Sequence, residues 1–345
     1  MEASDSSPGR LLVVFAAFVV AAAGLKMASS IVNPLLLSAF ISILCAPCVS
    51  WLVVKRVPIG LAILLVMIGI VTIGILLGAF LGQSLNDFSG QIPLYEERLK
   101  LQIRPLVQFM SGFGWAWDIS TLTDQFDPGV AMRLASNLLS GVGAVLGNMF
   151  LILLTVMFLL AEAHSFPIKL RQVLKDPERS LSHFAAFLVS VKSYLLIKSL
   201  VSVATGVLVT LLLMLMKIDY PLLWGLFAFM LNYVPNIGSI IAAVPAVLLA
   251  LIQHGLWEAV VVGAGYMVVN VVMGNLVEPR FLGKGLGLST LVVFLSLIFW
   301  GWILGPVGML LSIPLTMIVK IALESNEATR WVGVILGAPV STKEG

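Results

Sequence analysis

Charge is scarce in this sequence. Of its 345 residues, 11% are Asp, Glu, Lys or Arg and 60% are hydrophobic, whereas soluble domains carry about 25% charged residues. A soluble fold has no way to hide so much apolar surface, so the class is an all-α polytopic membrane protein with the lipid bilayer as its solvent. A net charge of +3 comes without any basic patch interleaved with aromatics, which excludes nucleic acid as a partner. Cysteine is nearly absent: Cys45 and Cys48 form C-A-P-C inside an apolar run. A redox pair belongs at an exposed helix start in a soluble fold, so these two read as small membrane-helix residues. The three histidines, His164, His183 and His254, all fall in connecting segments. No H-E-x-x-H motif and no phosphate-binding G-x-x-x-x-G-K-[ST] motif is present, so neither a metal nor another cofactor is expected, and ATP does not drive the protein directly. G-L-S at 287–289 faintly resembles a serine-protease motif, but Ser289 has no base in view to activate it, so an intramembrane enzyme is disfavoured.

What the sequence does hold is a series of apolar runs of spanning length, about 20 residues each. They lie at about 11–29, 33–54, 59–82, 137–162, 194–216, 221–252, 256–277 and 289–323, which predicts about eight spans. The polar N-terminus, with two acids and one Arg, makes a poor signal peptide, so the first run stays in the membrane. Asn33-Pro34 predicts an N-cap and first position for the second span. Residues 84–136 hold six acids and four bases, and residues 163–198 hold six bases and two acids. By the positive-inside rule the first segment is extracytoplasmic and the second cytoplasmic, with both termini in the cytoplasm. Leu99, Ile103, Leu106 and Met110 recur at helical spacing and predict an amphipathic helix in the outer insertion. Asp127-Pro128 caps a helix that runs on toward Glu162, unless Gly141-Val142-Gly143 breaks it. Ser182, Ala185, Ala186 and Val189 mark a basic helix suited to the anionic inner leaflet.

Two runs are too long for a straight crossing: 221–252 is about 48 Å as a helix, and 289–323 more than about 50 Å. Each is broken near its middle, by P-N-I-G at 235–238 and by G-P-V-G at 305–308. They fit two re-entrant helical hairpins or two kinked spans. Broken helices free backbone groups that survive in lipid only when buried in protein or lining a wet cavity. Asn232, Tyr233, Pro235, Asn236, Gly238 and Ser239 gather polar groups and backbone freedom at the first break, and Gly305 and Pro306 form the second. Asn270, Gly274 and Glu278 sit at i, i+4 and i+8 and so share a helix face, and Asn275 lies beside them. Glu278 is a carboxylate near a membrane-helix end, with Arg280 as its nearest partner. These residues predict a solute site at which Asn, able both to donate and to accept, suits a neutral polar solute. A proline kink with interhelical asparagine bonds is the plainer alternative.

L-N-Y-V-P-N-I-G-S at 231–239, G-N-L-V-E-P-R at 274–280, the run from Gly285 to Thr316 and L-T-V-M-F-L-L-A-E at 154–162 resemble the autoinducer-2 exporter family. The resemblance covers nearly the whole chain. It implies an inner-membrane secondary transporter of eight helices that exports autoinducer-2, the small polar uncharged signal made from dihydroxypentanedione. It further implies re-entrant hairpins, elevator-like motion and a homo-oligomer, with a pentamer as the assembly. Family members have also been linked to sodium–proton exchange. Among acids only Glu162, Glu278 and Glu324 stand near span ends and none is mid-span, which favours uniport or weak coupling over tight antiport. The expected organisation is N-terminal membrane helices (1–83), an extracytoplasmic amphipathic segment (84–136), a long membrane helix (137–162), a basic cytoplasmic linker helix (163–193), a transport core with the broken helices (194–323) and a cytoplasmic tail (324–345).

Overall fold

Long runs of apolar side chains leave the backbone one economical state in lipid, the α-helix, which satisfies its own hydrogen bonds. The computed structural model describes residues 8–111, 148–163, 169, 177–235, 237–282, 288–324, 327 and 329–337, and among them it contains helices and no strand. In order these are α1 (Pro8–Met27), α2 (Ser29–Val54), α3 (Ile59–Ser111), α4 (Met149–Glu162), α5 (Pro177–Leu215), α6 (Pro221–Leu231), α7 (Ile237–His254) and α8 (Leu256–Asn270). A π-helical segment (Val271–Val277) comes next, then α9 (Glu278–Leu282), α10 (Thr290–Leu310), α11 (Ser312–Glu324) and α12 (Arg330–Ile335). The expected cap at Asp127-Pro128 and the Gly141–Gly143 break lie outside the described residues.

Six of the described helices are long and apolar enough to cross a membrane: Ser29–Val54, Ile59–Tyr95, Val189–Leu215, Ile237–His254, Leu256–Phe281 and Thr290–Leu310. The shorter apolar helices are Leu12–Met27, Met149–Glu162 and Pro221–Leu231. Helix α3 has 53 residues, about 80 Å, so it runs unbroken through position 83 and projects well beyond a core of about 30 Å. Helix α5 has 39 residues and runs from Pro177 through the expected start of the fifth span without interruption. The reading of Asn33 as a cap is corrected: α2 already starts at Ser29, only Ala28 separates it from α1, and the Ala28 N–H still donates to Gly24 O at 2.9 Å. Asn33 therefore lies within a helix, where its side chain is free to reach sideways.

The chain divides into two compact units, one comprising Met1–Ile43, Phe150–Pro167 and Gly287–Gly345 and the other Leu44–Met149 and Ile168–Leu286. In the second unit α6 has 11 residues, about 16 Å, too short to cross the hydrocarbon by itself. It descends along α5, where Gly206 and Gly225 let the two backbones close up; a Cβ on Gly206 would sit 2.8 Å from Gly225 O. The chain then turns and α7 climbs back. Both ends of this hairpin stand at one level: the Asp219 N–H donates to Gln253 Oε1 at 3.1 Å, and His254 Nε2 lies 3.2 Å from Lys217 O. Tyr95 donates to Asp219 Oδ2 at 2.8 Å and Gln91 to the Tyr220 hydroxyl at 2.8 Å, so the projecting part of α3 is tied to the same level. The tip lies at Ser199–Ser202 of α5, about 25 Å away along that helix. The core beneath is built from Phe88, Leu213, Trp224, Phe227, Ala242, Ala246 and Leu249, all buried.

In the first unit the same kind of reversal occurs inside α10–α11. Gly305 has φ 63° and ψ −146°, which ends the α-helical path. The chain folds back so that Trp300 Nε1 donates to Thr316 Oγ1 at 3.0 Å. Phe18 of α1 stacks on Phe299 with ring centroids 5.7 Å apart.

The two reversals share a device. A Cβ placed on Gly238 would fall 1.8 Å from Leu231 O, and one on Gly308 2.0 Å from Trp300 O. In each hairpin a glycine face of the returning arm lies directly on a carbonyl of the descending arm. Gly238→Ala and Gly308→Ala are each expected to lower stability by at least about 1–3 kcal/mol, the usual cost of overpacking. Gly82→Ala, where a Cβ meets nothing within 4 Å, is expected to be silent. Thermal unfolding in detergent checks this; Gly238→Ala with the melting temperature of Gly82→Ala would contradict it.

Candidate functional site

The first break supplies its own backbone partners. The Val234 N–H donates to Leu231 O (2.9 Å), the Ile237 N–H to Pro235 O (2.6 Å) and the Gly238 N–H to Val234 O (3.2 Å). With the backbone closed by tight turns, the side chains of the tip are left for other work. Asn232 Nδ2 donates to Ser202 Oγ at 2.9 Å and the Tyr233 hydroxyl to Ser199 Oγ at 2.8 Å. Asn232, Tyr233 and Ser202 are buried. Ser199 also donates to Leu195 O at 2.7 Å, which fixes its rotamer and aims its lone pairs at Tyr233.

Beside this layer lies an ion pair. Lys198 Nζ reaches both oxygens of Glu278, at 3.0 and 2.8 Å, with side chains only 6% and 16% exposed. This corrects the expectation that Arg280 is the partner: Arg280 is exposed, and Glu278 instead turns to a lysine 80 positions away in sequence. The physical reason is desolvation. A half-buried carboxylate has more to gain from a buried ammonium than from a guanidinium that keeps its water. The π-helical segment makes the reach possible. The Glu278 N–H donates to Met273 O, a bond spanning five residues, and the wider turn rotates the downstream residues relative to a regular α-helix. The wider turn therefore carries Glu278 off the simple i, i+4, i+8 face. Asn270 is half-buried with its Oδ1 toward Gly274 (3.8 Å from where a Cβ would stand), and Asn275 is exposed.

The structure thus gathers Asn232, Tyr233 and Glu278 in the second unit, with Pro235 and Ser239 half-buried and Gly238 buried in the same hairpin. Asn236 lies outside the described residues. Gly305 and Pro306 belong to the first unit. Sequence reasoning missed Lys198, Ser199 and Ser202. Their signal was present as polar residues at i, i+1 and i+4 within the apolar stretch 194–205, but Lys198 reads equally well as a topology marker. Tyr194, one turn from Lys198, is fully buried within electrostatic reach of Glu278 and Tyr233.

Chemically, the cluster offers neutral donors and acceptors next to a pair whose charges cancel. Among the described residues no group of three His, Cys, Asp or Glu stands close enough to hold a metal ion. Two cavities elsewhere are apolar. One of about 540 Å³ in the first unit lies among Phe18, Leu295, Phe299 and Val319, and one of about 420 Å³ in the second among Phe80, Val207, Leu226 and Phe229. Neither includes the polar cluster, and their linings suit acyl chains or neighbouring helices rather than a polar ligand.

The Lys198–Glu278 pair generates a sharp expectation. Lys198→Met leaves the carboxylate buried and unpaired and is expected to cost about 3–5 kcal/mol. Lys198→Met combined with Glu278→Leu is expected to recover most of it. Denaturation of the two singles and the double gives the coupling directly; additive losses would show that the two groups are not paired in the folded protein.

Residues 13–327 match the family model described as AI-2E family transporter. The chain is 40% identical over 327 residues to the AI-2 transport protein TqsA of Escherichia coli K12, covering 95% of each chain. It is 41% identical over 334 residues to a protein of Haemophilus influenzae Rd, covering 95% of this chain and 96% of that one. YhhT of Escherichia coli K12 is 36% identical over 333 residues, covering 96% and 95%.

Proposed function

The chain belongs to the AI-2E family of transporters, and from that premise we propose that it is an inner-membrane facilitator that exports autoinducer-2 or a similar small, neutral, polar solute, which binds at the tip of the α6–α7 hairpin. One observation carries the reading: at the tip, Asn232 and Tyr233 make neutral hydrogen bonds to Ser202 and Ser199 beside an ion pair that has already cancelled its own charge. A polyol or hydroxy-ketone can exchange with bonds of this kind one for one, because each leaving hydroxyl or amide is matched by an arriving one. A cation would meet a carboxylate already held by lysine, which is why this reading is preferred to sodium–proton exchange. The similarity to TqsA, whose name assigns it AI-2 transport, supports the choice of solute.

In the same reading the α6–α7 hairpin is re-entrant, leaving and rejoining the outer membrane face, and both termini are cytoplasmic. The protein works as a homo-oligomer. Support for the hairpin comes from its short descending arm and from the contacts that hold residues 217–220 level with 253–254. In a protein with Cys45 and Cys48 replaced by Ala, Lys217→Cys and Leu256→Cys are both expected to react with an impermeant maleimide added to sealed cells. A kinked single span would leave Leu256→Cys unlabelled from outside.

Flux tests the solute. Reconstituted vesicles are expected to carry labelled dihydroxypentanedione down its gradient, with little response to imposed sodium or proton gradients. Asn232→Leu is expected to raise the half-saturating concentration about threefold to tenfold, the equivalent of one hydrogen bond, in protein that remains folded. Wild-type saturation in well-folded Asn232→Leu vesicles would remove the tip from the solute path. Sodium-driven proton movement without solute flux would favour exchange.

A further inference from the structure

The second helix break holds a polar group that its own fold does not satisfy. At Gly305 the backbone leaves the regular helical path, with φ 63° and ψ −146°. Asn33 of α2 reaches the carbonyl just before it, its Nδ2 donating to Leu304 O at 3.1 Å. That bond fixes the orientation of the amide, because the opposite flip would set oxygen against oxygen. Asn33 Oδ1 is then directed elsewhere, and it is buried without a hydrogen-bond partner among the described residues. An acceptor left in that state is uncommon in native proteins and calls for a water, an ion or a ligand. The Gly305 position itself is uncrowded: a Cβ there would meet nothing within 4 Å, in contrast to Gly308, where it would strike backbone. Pro306, next in line, has no N–H to offer the oxygen.

We propose that Asn33 is a solute contact of the transport cycle, its Oδ1 accepting a hydrogen bond from a hydroxyl of the transported molecule while its Nδ2 holds the broken helix at Leu304. The ligand class is a small hydroxyl-bearing neutral molecule, and this rests on the transporter reading above. It adds a second polar station, in the first unit, to the one at Asn232. Asn33→Leu removes both bonds, whereas Asn33→Asp keeps an acceptor and loses the donor to Leu304.

The test is flux into reconstituted vesicles with dihydroxypentanedione and with analogues each lacking one of its hydroxyls, on the full-length protein. Asn33→Leu is expected to raise the half-saturating concentration for dihydroxypentanedione about threefold to tenfold and to leave one of the analogues no worse than it is in the wild type. Asn33→Asp is expected to keep near-normal half-saturation with a lower maximal rate and a lower melting temperature, since only the clamp is weakened. If Asn33→Leu lowers the maximal rate and melting temperature but leaves half-saturation unchanged, Asn33 is a clamp only and the contact is overturned. If solute flux is unaffected but sodium binding is lost, the oxygen serves a cation and the proposal is likewise overturned. Wild-type vesicles that carry neither dihydroxypentanedione nor its analogues overturn the solute reading itself, and the Asn33 contact falls with it.

Discussion

A helix broken inside lipid must find new partners for every backbone group it frees, because each one left dry costs several kcal/mol. Much of this protein is arranged around that constraint. The hairpin tip at 232–238 meets it with tight turns of its own, and its side chains then dock on Ser199 and Ser202 of α5. At the reversal at Gly305 a side chain from α2 donates to the carbonyl just before the break. In both hairpins the arms close through a glycine laid against a carbonyl, a contact open to no other residue. The cost of breaking a helix twice is met by specific residues, and it is these residues that give the protein polar surface where a uniform helix has none.

The buried Lys198–Glu278 pair is the reason a neutral molecule is proposed for the cluster. Buried ion pairs add little to stability, but separating their members is expensive. A solute carrying charge competes with one partner and strands the other. A hydroxyl or carbonyl leaves the pair intact and trades only with Asn232, Tyr233 and their serines. The π-helical segment that delivers Glu278 to Lys198 is a weaker way to build a helix than the α-form, and such segments recur at functional sites. Here it has a definite consequence, the placement of one carboxylate.

How much of this was legible in the sequence depends on the range of each signal. The breaks at P-N-I-G and G-P-V-G were legible because proline and glycine act on their own backbone. The membrane class and the all-helical fold come from composition. Pairings made across the fold were not legible. Glu278 has Arg280 two positions away, and nothing local reveals that Lys198 is buried while Arg280 is exposed. Asn33 precedes a proline in a pattern that suggests a cap, yet its partner lies 271 positions downstream. The α-helical face drawn through Asn270, Gly274 and Glu278 loses Glu278 for another reason, since a π turn has no composition of its own to read. Eight apolar runs are expected and six described helices have the length and composition to cross; the first and fourth runs hold the shorter apolar helices Leu12–Met27 and Met149–Glu162.

The central claim is that a small neutral solute occupies the tip of the α6–α7 hairpin. Hydrogen–deuterium exchange on the detergent-solubilised protein, with and without saturating dihydroxypentanedione, tests it most directly. The account predicts slower exchange in peptides covering 231–238 and 195–205. Saturating solute that leaves both peptides unprotected would contradict it.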